Sequence, residues 1–386
     1  MRYPYYNPNL RLAVASRALL MSKYKAEASI KKYFSQLTGK KHILITNSCR
    51  TALYLAYKAI GRQGEVITSP LTCKASIDPI EESKNTPVFA DVNQGDLNIN
   101  SDDIQHRITE KTIAIQAIHL GGVSCDMDRI NRIGKLHNLW VIEDCAQSFG
   151  AKFHNAYTGS FGHIACFSLI KNAYGIGGGI LATNSREVYD KAFHISKKFQ
   201  KTGFALALFR FMRNIFDTHR KNIISRLMHN VLLKIKGQNR AYRSVLEQLK
   251  NPSFLEVKVS AVQISRWEEL HRKRKMIGNL YYQLLKEKGM LVNMDYVASD
   301  ASFAKFYVHN PGIYTIETIK QLHQSGIEAM HLEHKHGSIY QERMVGETQA
   351  LRENLNNYLK LFDEVISLPI CENFSPEDIK YIISSL

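Results

Sequence analysis

Val141-Ile-Glu-Asp-Cys-Ala-Gln147 is a short apolar run that ends on two carboxylates. It reads as a buried strand delivering its last side chains to a loop, and similar runs stand on either side of it. Strands are predicted at 42–46, 65–68, 86–90, 114–118, 140–142, 165–168 and 179–182, with helices beginning near Thr51, Ser76, Asp126 and after Arg186. Strands alternating with amphipathic helices specify an α/β fold whose mostly parallel sheet is covered on both faces. Functional groups in such sheets gather beyond the carboxyl ends of the strands. The turns after Thr46, Ile142 and Ser168 are therefore where chemistry is expected.

The stretch continues through Thr158-Gly-Ser-Phe-Gly162 and Cys166-Phe-Ser168 to Lys171-Asn172 and Gly177-Gly-Gly179. A strand-end carboxylate, a serine on the next strand and a lysine in a glycine-rich turn match the needs of pyridoxal phosphate: an acid opposite its ring nitrogen, donors around its phosphate, and an amine. On this reading Asp144 keeps the pyridine nitrogen protonated, so that the ring accepts the electron pair left when a Cα proton departs. Lys171 holds the cofactor covalently and then carries that proton between carbons as base and acid. Each residue alone has a blander reading, a helix cap or salt-bridge partner for the Asp and a solvated amine for the Lys. Their order and spacing single them out.

The ordered set Thr46-Asn-Ser48…Thr51-Ala-Leu53, Thr86-Pro-Val-Phe-Ala-Asp91, His119-Leu-x-Gly122…Asp126-Met-Asp128, Glu143-Asp-x-Ala-Gln147 and Phe167-Ser168…Lys171 resembles the DegT/DnrJ/EryC1/StrS family of sugar aminotransferases. The similarity covers about residues 20–190 and resumes near 260–270 and 327–386, where Ser367-Leu-Pro-Ile and Ser375-Pro-Glu-Asp-Ile look like the family's closing motif. The resemblance implies fold type I: a large domain with a mostly parallel central sheet plus a smaller C-terminal α/β domain. It also implies pyridoxal 5'-phosphate as cofactor and amino transfer from glutamate to a nucleotide-linked keto-sugar, by a homodimer with its sites at the subunit interface. It makes Lys171 the covalent lysine, pairs Asp144 with the pyridine nitrogen and lays Gln147 near the phenolic oxygen. Ser168 and the turn Ser48, Cys49, Arg50 and Thr51 would receive the phosphate at a helix N-terminus, and Thr72 joins the cofactor-binding set. A sugar dehydratase is the neighbouring activity, but family dehydratases carry histidine in place of the lysine.

Several positions depart from the family pattern. Ser168 and Lys171 are three apart where five is usual, so either the lysine reaches the cofactor from an altered loop or the site is remodelled. Cys73 stands where an aromatic residue usually stacks on the ring. Cys49-Arg50 replaces Gly-Thr at the phosphate turn, and Arg50 offers a phosphate cation. Gly177 takes the place of an acid. The motif by which a partner subunit reaches the phosphate is not recognisable, and Asn251 is its nearest candidate.

The 51 Lys and Arg exceed the 35 Asp and Glu by 16, and most of the excess is local: twelve basic residues stand between Lys197 and Arg243 against one acid, Asp217. Apolar residues at Leu208, Phe209, Met212, Ile215 and Phe216, then at Ile224, Leu227, Met228, Val231 and Ile235, have helical spacing with basic opposite faces. Such a segment packs on its own domain or dimer partner. Alternatively it lies on an anionic membrane with Phe209, Phe211, Met212 and Phe216 inserted, which admits a degenerate paralogue that binds a membrane or a protein partner. Nucleic acid is set aside because no recognition motif accompanies the charge. Three regions follow: 1–202 for the cofactor domain, 203–250 for the basic insertion, and 251–386 for the small domain, which opens on a long helix over 259–287 and closes on one over 376–386.

The six cysteines form no Cys-x-x-Cys pair and read as buried thiols in a reducing compartment. No apolar run approaches the roughly 18 residues of a bilayer span, so the expected setting is the cytoplasm, free or peripheral to the inner membrane face. His331-Leu-Glu-His334-Lys-His336 fits neither one helix face nor one strand face and is read as a loop, with no metal expected. His119 is read as a core or supporting residue.

Overall fold

The computed structural model describes residues 3–4, 8–219, 228, 245–290, 300–309, 316–331 and 355–386. Two helices precede the sheet, α1 (Leu12–Leu20) and α2 (Lys23–Thr38), neither of them anticipated from the sequence. The strands and helices then alternate as β1 (His42–Thr46), α3 (Cys49–Ile60), β2 (Glu65–Thr68), α4 (Lys74–Glu82), β3 (Thr86–Phe89), α5 (Ser101–Arg107), β4 (Thr112–Ile118), α6 (Met127–Leu136) and β5 (Trp140–Asp144). A small hairpin, β6 (Lys152–Phe153) with β7 (Ala156–Tyr157), leads into β8 (Ile164–Ser168), β9 (Gly179–Thr183), α7 (Arg186–Ser196) and α8 (Phe204–Thr218). The remainder is α9 (Val245–Gln248), α10 (Phe254–Ile264), α11 (Trp267–Glu287), β10 (Phe306–His309), α12 (Ile316–Gln324), β11 (Met330–His331), α13 (Asn356–Glu364), β12 (Val365–Leu368) and α14 (Pro376–Ser384).

The main sheet has the order β1-β9-β8-β5-β4-β2-β3. Its pairs are parallel except those of β9, which runs against both β1 and β8. Every residue of β4 is buried, as expected for a strand covered on both faces. Its one amide, Gln116, accepts from Thr68 Oγ1 at 2.9 Å and donates to the Ser76 carbonyl at 3.3 Å. The antiparallel sheet β10-β12-β11 forms a second, smaller layer.

The predicted helix over 259–287 is two helices. α10 starts on a capping box made by Ser253 and Glu256 and ends at Ser265, and Arg266, at φ −110° and ψ 1°, breaks the ladder before α11 begins. In the basic segment, α8 packs on its own chain. Ala207 and Phe211 are buried with Val14, Ala18, Ile176, Leu255 and Val259, and Arg210 pairs with the fully buried Glu256 at 2.5 Å. The Phe211 ring, which the membrane reading would insert into a bilayer, is buried in this contact, 6% exposed. The second amphipathic run, apart from Met228, lies outside the described residues, as do His334 and His336. No helix among the described residues is long and apolar enough to cross a membrane.

Candidate active site

The parallel strands β1, β5 and β8 present their carboxyl ends to one edge of the sheet. There β9 returns between β1 and β8, so that Gly179 pairs with both Thr46 and Ser168. The turn after β1 opens α3. Ser48 caps it by accepting from Thr51 N–H at 3.2 Å, and Thr51 Oγ1 donates to Asn47 Oδ1 at 2.6 Å. Gly178 N–H donates to the Asn47 carbonyl at 2.8 Å. A Cβ on Gly179 would stand 2.3 Å from the Ser48 carbonyl carbon, so glycine there lets two backbones touch. The glycine run after Lys171 is thereby pinned to the anion-accepting end of α3.

Asp144 ends β5 and is 2% exposed. Ser76 Oγ donates to its Oδ2 at 2.7 Å, Ala146 N–H donates to Oδ1 at 3.0 Å, and the Cys49 thiol lies 3.7 Å from Oδ1. A carboxylate offers about four lone-pair positions, which leaves one for a further donor. Burial pushes the Cys49 thiol well up, the charge of Asp144 adds to the push, and the ammonium of Lys171 opposes it. Lys171 is thus within electrostatic reach of the Cys49 thiol. It is half-buried, and its side-chain amine makes no hydrogen bond or ion pair among the described residues.

The short turn from Ser168 to Lys171 is compensated by long-range bonds. Gly175 N–H donates to the Leu169 carbonyl at 2.6 Å and Leu169 N–H to that of Gly178 at 3.0 Å. The Asn172 amide nitrogen donates to the Gln147 carbonyl at 3.2 Å and to Ser302 Oγ at 3.0 Å, and its Oδ1 accepts from Arg274 Nη1 at 2.7 Å. Arg274, on α11, also meets the buried Glu372 at 2.5 Å. The lysine loop is therefore braced from the C-terminal half of the chain.

Gln147 is 5% exposed and accepts from Gly121 N–H at 3.0 Å, while its Nε2 has no partner among the described residues. Ser168 ends β8 at 8% exposure, and its hydroxyl likewise has none. Thr72 is buried just before α4, whose N-cap is Cys73. Arg50 Nη1 donates to Gln248 Oε1, and its buried Nε has no partner among the described residues. The side-chain amide of Asn251 donates to the carbonyls of Ser196 and Phe199 at 2.9 and 3.0 Å, tying the start of α10 to the end of α7.

These donors fit pyridoxal phosphate. A nearly saturated carboxylate with one position open, an unpaired amine, an unpaired amide N–H₂ and hydroxyl, and a helix N-terminus with a guanidinium are grouped at one sheet edge. Sequence reasoning missed Ser76, Gln248, Arg274 and the role of Asn172. Each acts through contacts distant in sequence that no local pattern marks.

Behind Asp144 sits a second buried set. Cys125 N–H donates to His119 Nδ1 at 3.1 Å, so Nε2 carries the proton and faces Glu143 Oε2 at 3.1 Å. Glu143 also accepts from the N–H groups of Gly159, Phe161 and Gly162. Burial works against its charge, but the bonds from His119 and Gly162 and the nearby Lys40 ammonium hold its carboxyl below the usual range. His119, Glu143 and Cys145 lie close enough to hold a metal ion, yet these hydrogen bonds already engage the His119 and Glu143 ligand atoms. A groove of about 380 Å³ lined by Lys152, Tyr157, Trp267, His271, Lys275 and Asp300 contains none of the residues grouped around Asp144.

The model of the DegT/DnrJ/EryC1/StrS aminotransferase family matches residues 9–386. The spore coat polysaccharide biosynthesis protein SpsC of Bacillus subtilis (strain 168) is 28% identical over 95% of this chain and 90% of its own length. GDP-perosamine synthase of Escherichia coli O157:H7 is 37% identical over 43% of this chain, a match that spans 47% of that enzyme. Among solved structures, Helicobacter pylori PseC, an aminotransferase involved in the biosynthesis of pseudoaminic acid, superposes with a TM-score of 0.76 at 19% identity, covering 100% of this chain and 98% of that one.

Proposed function

The chain belongs to the DegT/DnrJ/EryC1/StrS aminotransferase family, a family that uses pyridoxal phosphate, and from that premise we propose that it moves an amino group from glutamate to the keto group of a nucleotide-linked sugar. The product would enter a surface polysaccharide or another aminosugar-containing molecule, in keeping with the roles named for SpsC and GDP-perosamine synthase. The observation that carries the reading is that Asp144, ending β5, and Ser168, three residues before Lys171, close neighbouring strands at one sheet edge, where the Cys49 thiol at the start of α3 meets Asp144. A homodimer in the cytoplasm is the proposed working form.

When bound, the cofactor supplies an electron sink conjugated to the carbon that loses its proton. Asp144, held by Ser76 and the Ala146 N–H, would accept from the ring nitrogen with its remaining lone pair and favour the protonated form of that nitrogen. The Lys171 amine would hold the cofactor and, as base and acid, would move a proton between neighbouring carbons, a transfer worth about 10²–10⁴ in rate. Gln147 would donate its free amide N–H to the ring oxygen. Ser48, the backbone of Cys49 and Arg50, Thr51, Thr72 and Ser168 would receive the phosphate, with Arg50 adding a cation. The braced Asn172–Arg274 contact keeps the Lys171 turn from drifting, because a displacement of about 1 Å costs on the order of a hundredfold in rate.

The test is an absorption spectrum of the protein purified with pyridoxal phosphate, recorded before and after glutamate. The expected result is a visible band that glutamate bleaches and that Lys171→Ala abolishes. A band unaltered by Lys171→Ala removes the lysine assignment, and a band indifferent to glutamate removes the donor.

A further inference from the structure

Arg50 replaces a small residue at the phosphate turn, and the motif by which a partner subunit would reach that phosphate is not recognisable in this chain. The structure puts something else there. α9, at the end of the 203–250 segment, comes back over the start of α3. Its last residue, Gln248, accepts from Arg50 Nη1 through Oε1 and from Asn47 Nδ2, at 3.1 Å, through its backbone carbonyl. One residue thus holds both the guanidinium and the turn residue whose carbonyl oxygen receives Gly178 N–H.

We propose that Gln248 is a positioning residue that presents Arg50 to the phosphate of the cofactor, so that α9 does within one chain what a partner-subunit contact does in the usual plan. This rests on the cofactor reading above. The chemistry supports a brace. Gln248 is a neutral acceptor that takes one of the five guanidinium N–H groups and leaves the others for a dianion. Arg50 is half-buried and its Nε is buried without a partner among the described residues, so the side chain is already partly desolvated where a phosphate would be worth most. A rotating arginine would lose rotamer freedom on binding, and a braced one has less to lose.

The experiment compares pyridoxal phosphate with pyridoxal, which lacks the phosphate, by equilibrium titration of the cofactor-free protein and its Arg50→Ala, Arg50→Lys, Gln248→Ala and Gln248→Glu variants. A charge-assisted hydrogen bond corresponds to about tenfold or more in affinity. Arg50→Ala is expected to weaken pyridoxal phosphate at least about tenfold and pyridoxal hardly at all, with Arg50→Lys in between. Gln248→Ala should weaken the phosphorylated form severalfold. Gln248→Glu should weaken it further, because its carboxylate competes for the guanidinium, and added inorganic phosphate should compete less well in every variant. Equal losses for both ligands, no loss, or tighter binding by Gln248→Ala would each overturn the brace. A wild-type protein that binds neither ligand would instead sink the cofactor reading itself.

Discussion

Ser76 and Asp144, 68 positions apart in the chain, meet through a 2.7 Å hydrogen bond from Ser76 Oγ to Asp144 Oδ2. Both side chains are buried, Ser76 at 6% and Asp144 at 2% exposure, so the bond orients the carboxylate from the first turn of α4. Ser76→Ala is expected to cost about 2 kcal/mol of folding stability, the usual worth of a bond to a charged group. It should also slow turnover severalfold as Asp144 gains freedom. Urea unfolding and single-turnover absorbance check both, and an unchanged protein would mean that Ala146 and Cys49 suffice to aim Asp144.

Tyr57 is 1% exposed on α3, and its hydroxyl has no hydrogen-bond partner among the described residues. Burial, followed by the charges of Cys166, Asp144 and Cys49, pushes its phenol well up. A buried unmet donor costs about 1–3 kcal/mol. Tyr57→Phe is therefore expected to leave stability unchanged or raise it by about 1 kcal/mol in urea. A loss of similar size would show the hydroxyl to be bonded in solution.

Gly177 faces Glu256, and a Cβ at this position would lie 2.2 Å from Glu256 Oε1. The same carboxylate pairs with Arg210 and accepts from Ser253 N–H at 2.8 Å. An added methyl must therefore disturb the cap of α10 and the docking of α8 together. Gly177→Ala should destabilise the fold by about 1–3 kcal/mol, read as a lower urea midpoint. Retained stability would mean that Glu256 turns aside at no cost.

His271 stacks on Trp267 with ring centroids 4.7 Å apart. Burial, then the Lys275 and Arg274 charges, hold its pKa down at about 4, with Lys152 acting in the same direction and Asp300 against them. The folded state keeps the ring neutral, whereas the unfolded chain takes up a proton near pH 6.5. This contribution is therefore complete above about pH 6.5 and is lost as pH falls towards 4. Allowing for the partial exposure of the ring, the loss is about 2 kcal/mol. His271→Gln should flatten that part of the stability profile, measured by urea unfolding at pH 7 and pH 4.5. Parallel losses in both proteins would assign the acid sensitivity to other groups.

The strands of the main sheet were legible in the sequence to within a residue or two, because β-branched runs between glycine and polar turns mark them locally. Asp144 and Lys171 stand out as candidates in the sequence for the same reason: each lies at the end of such a run or shortly after one. The two N-terminal helices, the break at Arg266 and the bonds that Asn172 makes to Gln147, Ser302 and Arg274 were not legible. Each depends on what the segment packs against rather than on its own pattern. The charge excess near Arg210 is likewise ambiguous in sequence, and α8 resolves its own share by burying Phe211 and pairing Arg210 with Glu256.

Sequence by itself determined the order of strand, carboxylate, serine and lysine, and with it the fold class and the chemistry the chain is built for, because those signals are short-range. Tertiary structure alone decided how a turn two residues short is held beside the carboxyl ends of β5 and β8. It did so by bracing the loop from Arg274 through Asn172 and by pressing Gly179 onto the start of α3. Hydrogen bonds between residues a hundred positions apart leave no periodic trace in a chain, and they are what hold this site in place.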